Sequence, residues 1–128
     1  MAHVYILELE NGKYYIGRTD VMNIYNRFYS PRIESHYAGT ANCSWTNIYK
    51  PIGHIIIPNC GNFGELVNTL EYMSEFGIQN VRGDAFCQYK LDNDTIIFLQ
   101  KMINNATNKC FNCNESGHYA KNCPYCNK

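Results

Sequence analysis

Near the start of the chain, apolar and polar residues follow a pattern that predicts two β-strands. Residues 3–9 (His-Val-Tyr-Ile-Leu-Glu-Leu) and residues 13–18 (Lys-Tyr-Tyr-Ile-Gly-Arg) are rich in aromatic and β-branched side chains, which pack well on a pleated sheet. Residues 10–12 (Glu-Asn-Gly) separate them and form a strong hairpin signal, because asparagine and glycine tolerate the positive φ angles of tight turns. We therefore expect an antiparallel hairpin.

The length of the hairpin loop decides which side chains share a face of the sheet. A two-residue Asn-Gly turn would place Tyr5 and Tyr15 on opposite faces, because side chains alternate along a strand. A three-residue loop with a bulge and a left-handed Gly12 would pair Tyr5 with Gly17 and place the two tyrosines on one face.

Further patterns predict helices and a third strand. Asp20 caps a helix over about residues 21–29 that Pro31 prevents from continuing, and residues 32–50 form a structured loop with a short helical turn near Trp45. A mostly buried strand over residues 52–57 precedes a helix that opens with a capping box at Asn62-Phe-Gly-Glu65 and ends at Gly77. Residues 78–91 form a loop or short strand, and a final helix covers about residues 93–103. The expected fold class is α+β: a small three-stranded antiparallel sheet flanked by helices.

Composition divides the 128 residues into one main domain and a short appendix. Residues 1–103 hold nearly all the aliphatic side chains, residues 104–109 form a polar linker, and residues 110–123 are a cysteine-rich segment. Residues 1–108 contain 8 Lys/Arg against 10 Asp/Glu, whereas residues 109–128 contain 3 against 1. The main domain is therefore not a nonspecific polycation, and the tail supplies part of any attraction for nucleic acid.

The cysteine-rich segment has the spacing C-x2-C-x4-H-x4-C. Its candidate ligands are Cys110, Cys113, His118 and Cys123. Three thiolates and one imidazole can complete a tetrahedral shell around structural Zn²⁺. A four-cysteine set that uses Cys126 instead of the histidine is also possible. The odd cysteine count fits free thiols, and the N-terminal residues lack an export signal, so we expect an intracellular, reducing compartment rather than disulfides. No apolar run is long enough to cross a membrane.

Two aromatic residues and a cation accompany the predicted ligands. Phe111 and Tyr119 lie in a loop too small to bury them, and Lys121 follows. Exposed aromatics beside a metal-fixed backbone suit stacking on the bases of single-stranded nucleic acid. The segment resembles the CCHC zinc knuckle of RNA-binding proteins and retroviral nucleocapsids, and the glycine and aromatic positions favour the set with His118 and leave Cys126 spare. The resemblance implies that the chain binds DNA or RNA.

The main domain contains a second set of residues in a recognisable order. They are Tyr5, Tyr15, Arg27, His36, a glutamate that opens the long helix, and Asn80. This order, over residues 3–82, resembles the GIY-YIG nuclease family, although His3 replaces the first glycine of the motif. A nuclease domain followed by a knuckle is also similar to small proteins of nucleocytoplasmic large DNA viruses.

The GIY-YIG resemblance implies a metal-dependent endonuclease. It assigns catalytic roles to Tyr5, Tyr15, Arg27 and His36, and it makes Glu65 the ligand of Mg²⁺ or Mn²⁺, with Glu71 as the other candidate. A shared site requires both tyrosines on one face, and hence the three-residue loop. The alternatives are a catalytically inactive nucleic-acid-binding protein on the same fold and an adaptor whose knuckle binds a protein.

Overall fold

The computed structural model describes residues 2–106, which fall into two compact units divided between Lys90 and Leu91. The first unit contains a sheet of four strands: β1 (His3–Leu9), β2 (Lys13–Thr19), β3 (Pro51–Ile57) and β4 (Val81–Gly83). Their order across the sheet is β3-β1-β2-β4, and β4 runs parallel to β2 whereas the other pairs are antiparallel. The α+β class is confirmed, but the three-stranded antiparallel sheet is wrong because β4 adds a parallel edge strand.

The register of the first hairpin agrees with a three-residue loop. Tyr5 lies opposite Gly17 and Leu7 lies opposite Tyr15. The two tyrosines therefore occupy one face of the sheet, and their ring centroids are 6.5 Å apart. This confirms the prediction that they share a face.

The loop itself combines a tight turn with one extra residue. Asn11 (φ 62°) and Gly12 (φ 72°) are both left-handed, and the Lys13 N–H donates to the Glu10 carbonyl. Positive φ at both central positions is the signature of a type I′ turn. Glu10 is the additional residue on the β1 side, and its N–H donates to the Lys50 carbonyl instead of continuing the β1–β2 ladder. Gly12 is left-handed as predicted, while the left-handed Asn11 was not expected.

Four helices accompany the strands in the described residues. They are α1 (Pro31–Ala38), α2 (Ser44–Ile48), α3 (Gly64–Phe76) and α4 (Asn93–Ala106), with a short 3-10 turn at Ile78–Asn80. The last helix, predicted over about residues 93–103, belongs to the second unit. It continues through residues 104–106, the first half of the predicted linker, and buries Leu99 and Ile103. None of the helices within residues 2–106 has the length and apolar character needed to span a membrane.

The helix predicted over residues 21–29 is wrong, because the chain there forms consecutive turns. The Asn23 side chain accepts from the Tyr25 N–H at 2.9 Å, and the Asn26 side chain accepts from the Phe28 N–H at 2.9 Å. Such local bonds compete with helical hydrogen bonding. Tyr29 then adopts a left-handed backbone (φ 66°), which a helix does not permit.

Pro31 begins a helix rather than ending one. The Ser30 hydroxyl caps α1 by accepting from the Arg32 N–H at 3.1 Å, and Pro31 occupies the first turn, where its missing N–H costs nothing. Ser30 is also fixed to the sheet, because its hydroxyl donates to Thr19 Oγ1 at 3.0 Å. The short helical turn predicted near Trp45 is confirmed as α2, but the preceding part of the predicted loop is a helix, α1, which Gly39 (φ 77°) ends.

Two smaller predictions are also corrected. The third strand is not mostly buried, since β3 lies at the edge of the sheet and Ile52 and Ile55 are 62% and 55% exposed. The capping box at residues 62–65 is absent, because α3 begins at Gly64 and its N-cap residue is Phe63, without a side-chain cap. Glu65 therefore lies in the first turn of α3, and its carboxylate does not cap the helix.

The sheet has a different core on each face. Tyr5, Leu7, Leu9, Ile33, Cys43 and Trp45 form a buried cluster on the face shared by the two tyrosines. Helix α3 covers the opposite face along β2 and β4. There Tyr14 stacks on Phe76 with ring centroids 4.6 Å apart and meets Tyr72 edge-on at 5.3 Å. Tyr14 and Tyr15, which are neighbours on β2, therefore pack on opposite faces of the sheet.

The absence of a side chain at Gly17 makes room for the Tyr5 ring. A Cβ at Gly17 would collide with the distal atoms of that ring, whereas a Cβ at Gly53 would have only the Glu8 carboxylate nearby, at 3.8 Å. Gly17→Ala should therefore lower the free energy of unfolding by about 1–3 kcal/mol through overpacking. Urea denaturation followed by circular dichroism measures it. Gly53→Ala is the matched control in β3 and should stay within about 1 kcal/mol of wild type; equal effects would contradict the packing of Tyr5 against Gly17.

Candidate functional site

A cavity of about 500 Å³ opens on the face of the sheet that carries the two hairpin tyrosines. Its walls come from the hairpin, from α1, from the segment before α2 and from the turn after β4. We call it the tyrosine cavity. Its polar lining consists of Tyr5, Tyr15, Arg32, Ser35, His36, Asn42, Ser44 and Gln88.

Three aromatic side chains meet at the floor of the tyrosine cavity. The His36 ring centroid lies 5.8 Å from that of Tyr5 and 4.8 Å from that of Tyr15. The Tyr5 hydroxyl and His36 Nε2 are hydrogen-bonded at 3.1 Å. On the other side of the imidazole, Nδ1 is bonded to the buried Thr46 hydroxyl at 2.9 Å. The structure thus brings Tyr5, Tyr15 and His36 together, as the sequence order suggested.

The arginine at the cavity is Arg32 and not Arg27. Arg27 lies on the turns before α1, exposed, with its guanidinium 5.2 Å from the Phe28 ring centroid. Arg32 lies in the first turn of α1, one helical turn before His36, and lines the cavity while remaining exposed. Residues four apart lie on the same side of a helix. The N-terminal signal Ser30-Pro31 and this spacing could have identified Arg32 from sequence.

Burial determines the protonation of the cavity floor. It raises the pKa of Tyr5, an effect that Arg32 partly opposes, and it also raises the pKa of Tyr15. Burial, with a smaller contribution from the Arg32 charge, lowers the pKa of His36 to about 4. Both phenols are consequently protonated and the imidazole is neutral near pH 7. These side chains can donate and relay hydrogen bonds without carrying charge.

Glu65, in the first turn of α3, pairs with the Asp84 carboxylate. Burial raises the pKa of the half-buried Glu65, and Asp84 adds to the rise through its charge and a shared hydrogen bond, while Arg18 and Arg32 oppose it. Asp84 follows β4 with a left-handed backbone (φ 50°). Glu71, the other candidate, is exposed on the same helix.

The donor set at Glu65 and Asp84 fits a hydrated Mg²⁺ or Mn²⁺. Such ions take one or two carboxylates and complete their shell with water and substrate phosphate oxygens. Within residues 2–106 there is no cluster of three or more His, Cys, Asp or Glu side chains suited to a metal. An ion there would therefore draw the rest of its coordination from water or from a bound phosphate group.

A buried arginine fixes the wall of the cavity formed by residues 87–88. The Arg82 side chain donates to the Gln88 carbonyl at 2.7 Å and to the Tyr89 carbonyl at 3.1 Å. Its guanidinium also lies 4.3 Å from the Trp45 ring centroid. Asn80, the last member of the sequence order, accepts from the Lys13 ammonium at 2.6 Å and is not part of the cavity lining.

The predicted zinc ligands and the residues Phe111, Tyr119 and Lys121 lie outside the described residues. For this segment the comparisons with known proteins are informative. The family model of the CCHC zinc knuckle matches residues 108–124. Searches of curated proteins and of solved structures return no significant match. The chain therefore carries a zinc knuckle, which implies structural zinc and indicates nucleic-acid binding, whereas the comparisons identify no nuclease domain.

Proposed function

We propose that this chain is a nucleic-acid-binding protein that hydrolyses phosphodiester bonds in the tyrosine cavity. The observation that carries the proposal is the convergence of Tyr5, Tyr15, His36 and Arg32 on one cavity. It supplies neutral hydrogen-bond donors and a cation where a phosphate group would bind. The zinc knuckle would hold the strand through base stacking and thereby raise its local concentration at the cavity.

The charged and uncharged residues of the site would have different roles in the reaction. Arg32 stands at the mouth, where its planar guanidinium can bind two phosphate oxygens and stabilise the charge that develops in the transition state. Tyr15 lines the same cavity, and its protonated phenol can orient the attacking water. Glu65 and Asp84 do not line the cavity, but the charge of Glu65 acts on the Tyr5 phenol. The two carboxylates would hold a divalent cation, which when bound supplies Lewis-acid stabilisation of a phosphate oxygen.

The second candidate function is nucleic-acid binding without catalysis. One observation favours it: burial raises the pKa of both tyrosines, so neither phenol is a ready base at neutral pH. The knuckle alone accounts for nucleic-acid binding in that case. Cleavage by purified protein separates the two candidates.

Arg32→Ala should abolish cleavage, and Arg27→Ala should not. We expect Arg32→Ala to lower the rate on the order of a hundredfold or more, because the residue acts on charge that appears in the transition state. Arg27→Ala is the matched control, since it removes an exposed arginine outside the cavity. The measurement is nicking of supercoiled plasmid and cleavage of end-labelled single strands, with and without Mg²⁺.

The same assay tests the metal ligand. Glu65→Ala should lose activity whereas Glu71→Ala should retain it, and oligonucleotide binding should be nearly unchanged in both. Loss in Glu71→Ala alone would move the metal site to that residue. Wild-type protein that binds but never cleaves would establish the second candidate function.

Zinc should be held by Cys110, Cys113, His118 and Cys123. Cys123→Ser should release zinc and weaken the binding of a single-stranded oligonucleotide about tenfold or more, because a segment this small has no core to order its aromatics without metal. Cys126→Ser is the matched control and should retain both. Zinc content and fluorescence anisotropy measure the two effects. Zinc lost from Cys126→Ser but kept by His118→Ala would establish the four-cysteine set instead.

A further inference from the structure

Thr46 contacts the His36 ring at the nitrogen opposite the one bonded to Tyr5. It lies in α2, is fully buried and does not line the tyrosine cavity. Its hydroxyl is bonded to His36 Nδ1 at 2.9 Å, and the opposite ring nitrogen is bonded to the Tyr5 hydroxyl at 3.1 Å. Three side chains from α2, α1 and β1 therefore form one hydrogen-bonded chain that ends at the cavity.

The direction of this chain follows from counting hydrogens. A neutral imidazole carries one N–H and one acceptor nitrogen. If Nδ1 carried the hydrogen, the Thr46 hydroxyl would accept it, and its own buried hydrogen would have no acceptor among residues 2–106. If Nε2 carries the hydrogen, Thr46 donates to Nδ1 and Nε2 donates to the Tyr5 oxygen.

In the second arrangement every buried hydrogen of the chain has an acceptor. The hydrogen of the Tyr5 phenol is then not used within the chain. Because Tyr5 lines the cavity, a phosphate oxygen or water there can accept this hydrogen. Buried polar groups are rarely left without partners, because the loss of hydration is not recovered. The arrangement with Nε2–H is therefore favoured.

We propose that Thr46 is a positioning residue that fixes His36 as the Nε2–H tautomer and so makes Tyr5 a hydrogen-bond donor to the phosphate group. The catalytic part of this inference rests on the proposed function, whereas the tautomer does not. Tyr5 then stabilises negative charge on a phosphate oxygen and does not deprotonate water. The raised pKa of its phenol, caused mainly by burial, agrees with a group that keeps its proton.

The tautomer can be measured directly in the full chain. His36 is neutral at pH 7 because burial lowers its pKa to about 4. Long-range ¹H–¹⁵N correlation spectra of histidine-labelled protein distinguish the protonated from the unprotonated ring nitrogen, and His36→Gln assigns the signals. We expect protonated Nε2 and unprotonated Nδ1. Protonated Nδ1 would overturn the proposal whether or not the protein cleaves nucleic acid.

Substitution of Thr46 tests the catalytic consequence. Thr46→Val keeps the shape and removes the hydroxyl, so kcat should fall about tenfold through loss of positioning while KM changes little. Thr46→Ser restores the hydroxyl and should recover most of kcat. An unchanged kcat in Thr46→Val, with wild-type cleavage present, would overturn the positioning role. Absence of wild-type cleavage would instead refute the proposed function, and the tautomer would still decide the Thr46 assignment.

Discussion

The connection between β1 and β2 determines which side chains the hairpin presents on each face. Asn11 and Gly12 make the tight turn, and Glu10 adds one residue to it. Removing that residue would shift the pairing and turn one of the two hairpin tyrosines away from the other, because a strand alternates its faces at every residue. The tyrosine cavity exists only in the register that the extra residue imposes.

Helix α1 completes the cavity because its start is fixed to the sheet. The hydroxyl of Ser30 both caps the helix and donates to Thr19 at the end of β2. The first turn of the helix presents Arg32 at the cavity mouth, and the next turn presents His36 at its floor. Burial keeps the floor uncharged, and the arginine is the cation that lines the opening. A phosphodiester in the cavity would therefore contact the positive charge of Arg32 and the uncharged hydroxyl groups of Tyr5 and Tyr15.

The hairpin can be predicted from the sequence, whereas the conformation of the loop that follows it cannot. Strand propensity and the Asn-Gly signal predict β1 and β2 and the shared face of the tyrosines. The side chains of Asn23 and Asn26 bond to the local backbone, and this competition with helix formation left Arg27 outside the cavity. The capping signal at Ser30 indicates α1 and Arg32.

Other features depend on contacts between distant segments and have no local signal. A short strand within residues 78–91 was among the predictions, but no local pattern predicts that β4 pairs with β2 in parallel. Thr46 is one polar residue in a short helix, and only its bond to His36 reveals a role. The cysteine and histidine spacing, by contrast, was sufficient to predict the knuckle that the family comparison finds.

The proposed function requires that the hydroxyl groups of the tyrosine cavity act on phosphodiester bonds. It is tested most directly by the single-turnover rate at which Tyr15→Phe cleaves an end-labelled oligonucleotide with Mg²⁺ present. Tyr14→Phe is the control, because it removes a hydroxyl from the neighbouring residue on the opposite face. We expect a loss on the order of a hundredfold for Tyr15→Phe, with unchanged oligonucleotide binding, and a wild-type rate for Tyr14→Phe. Equal rates for the two variants would contradict it.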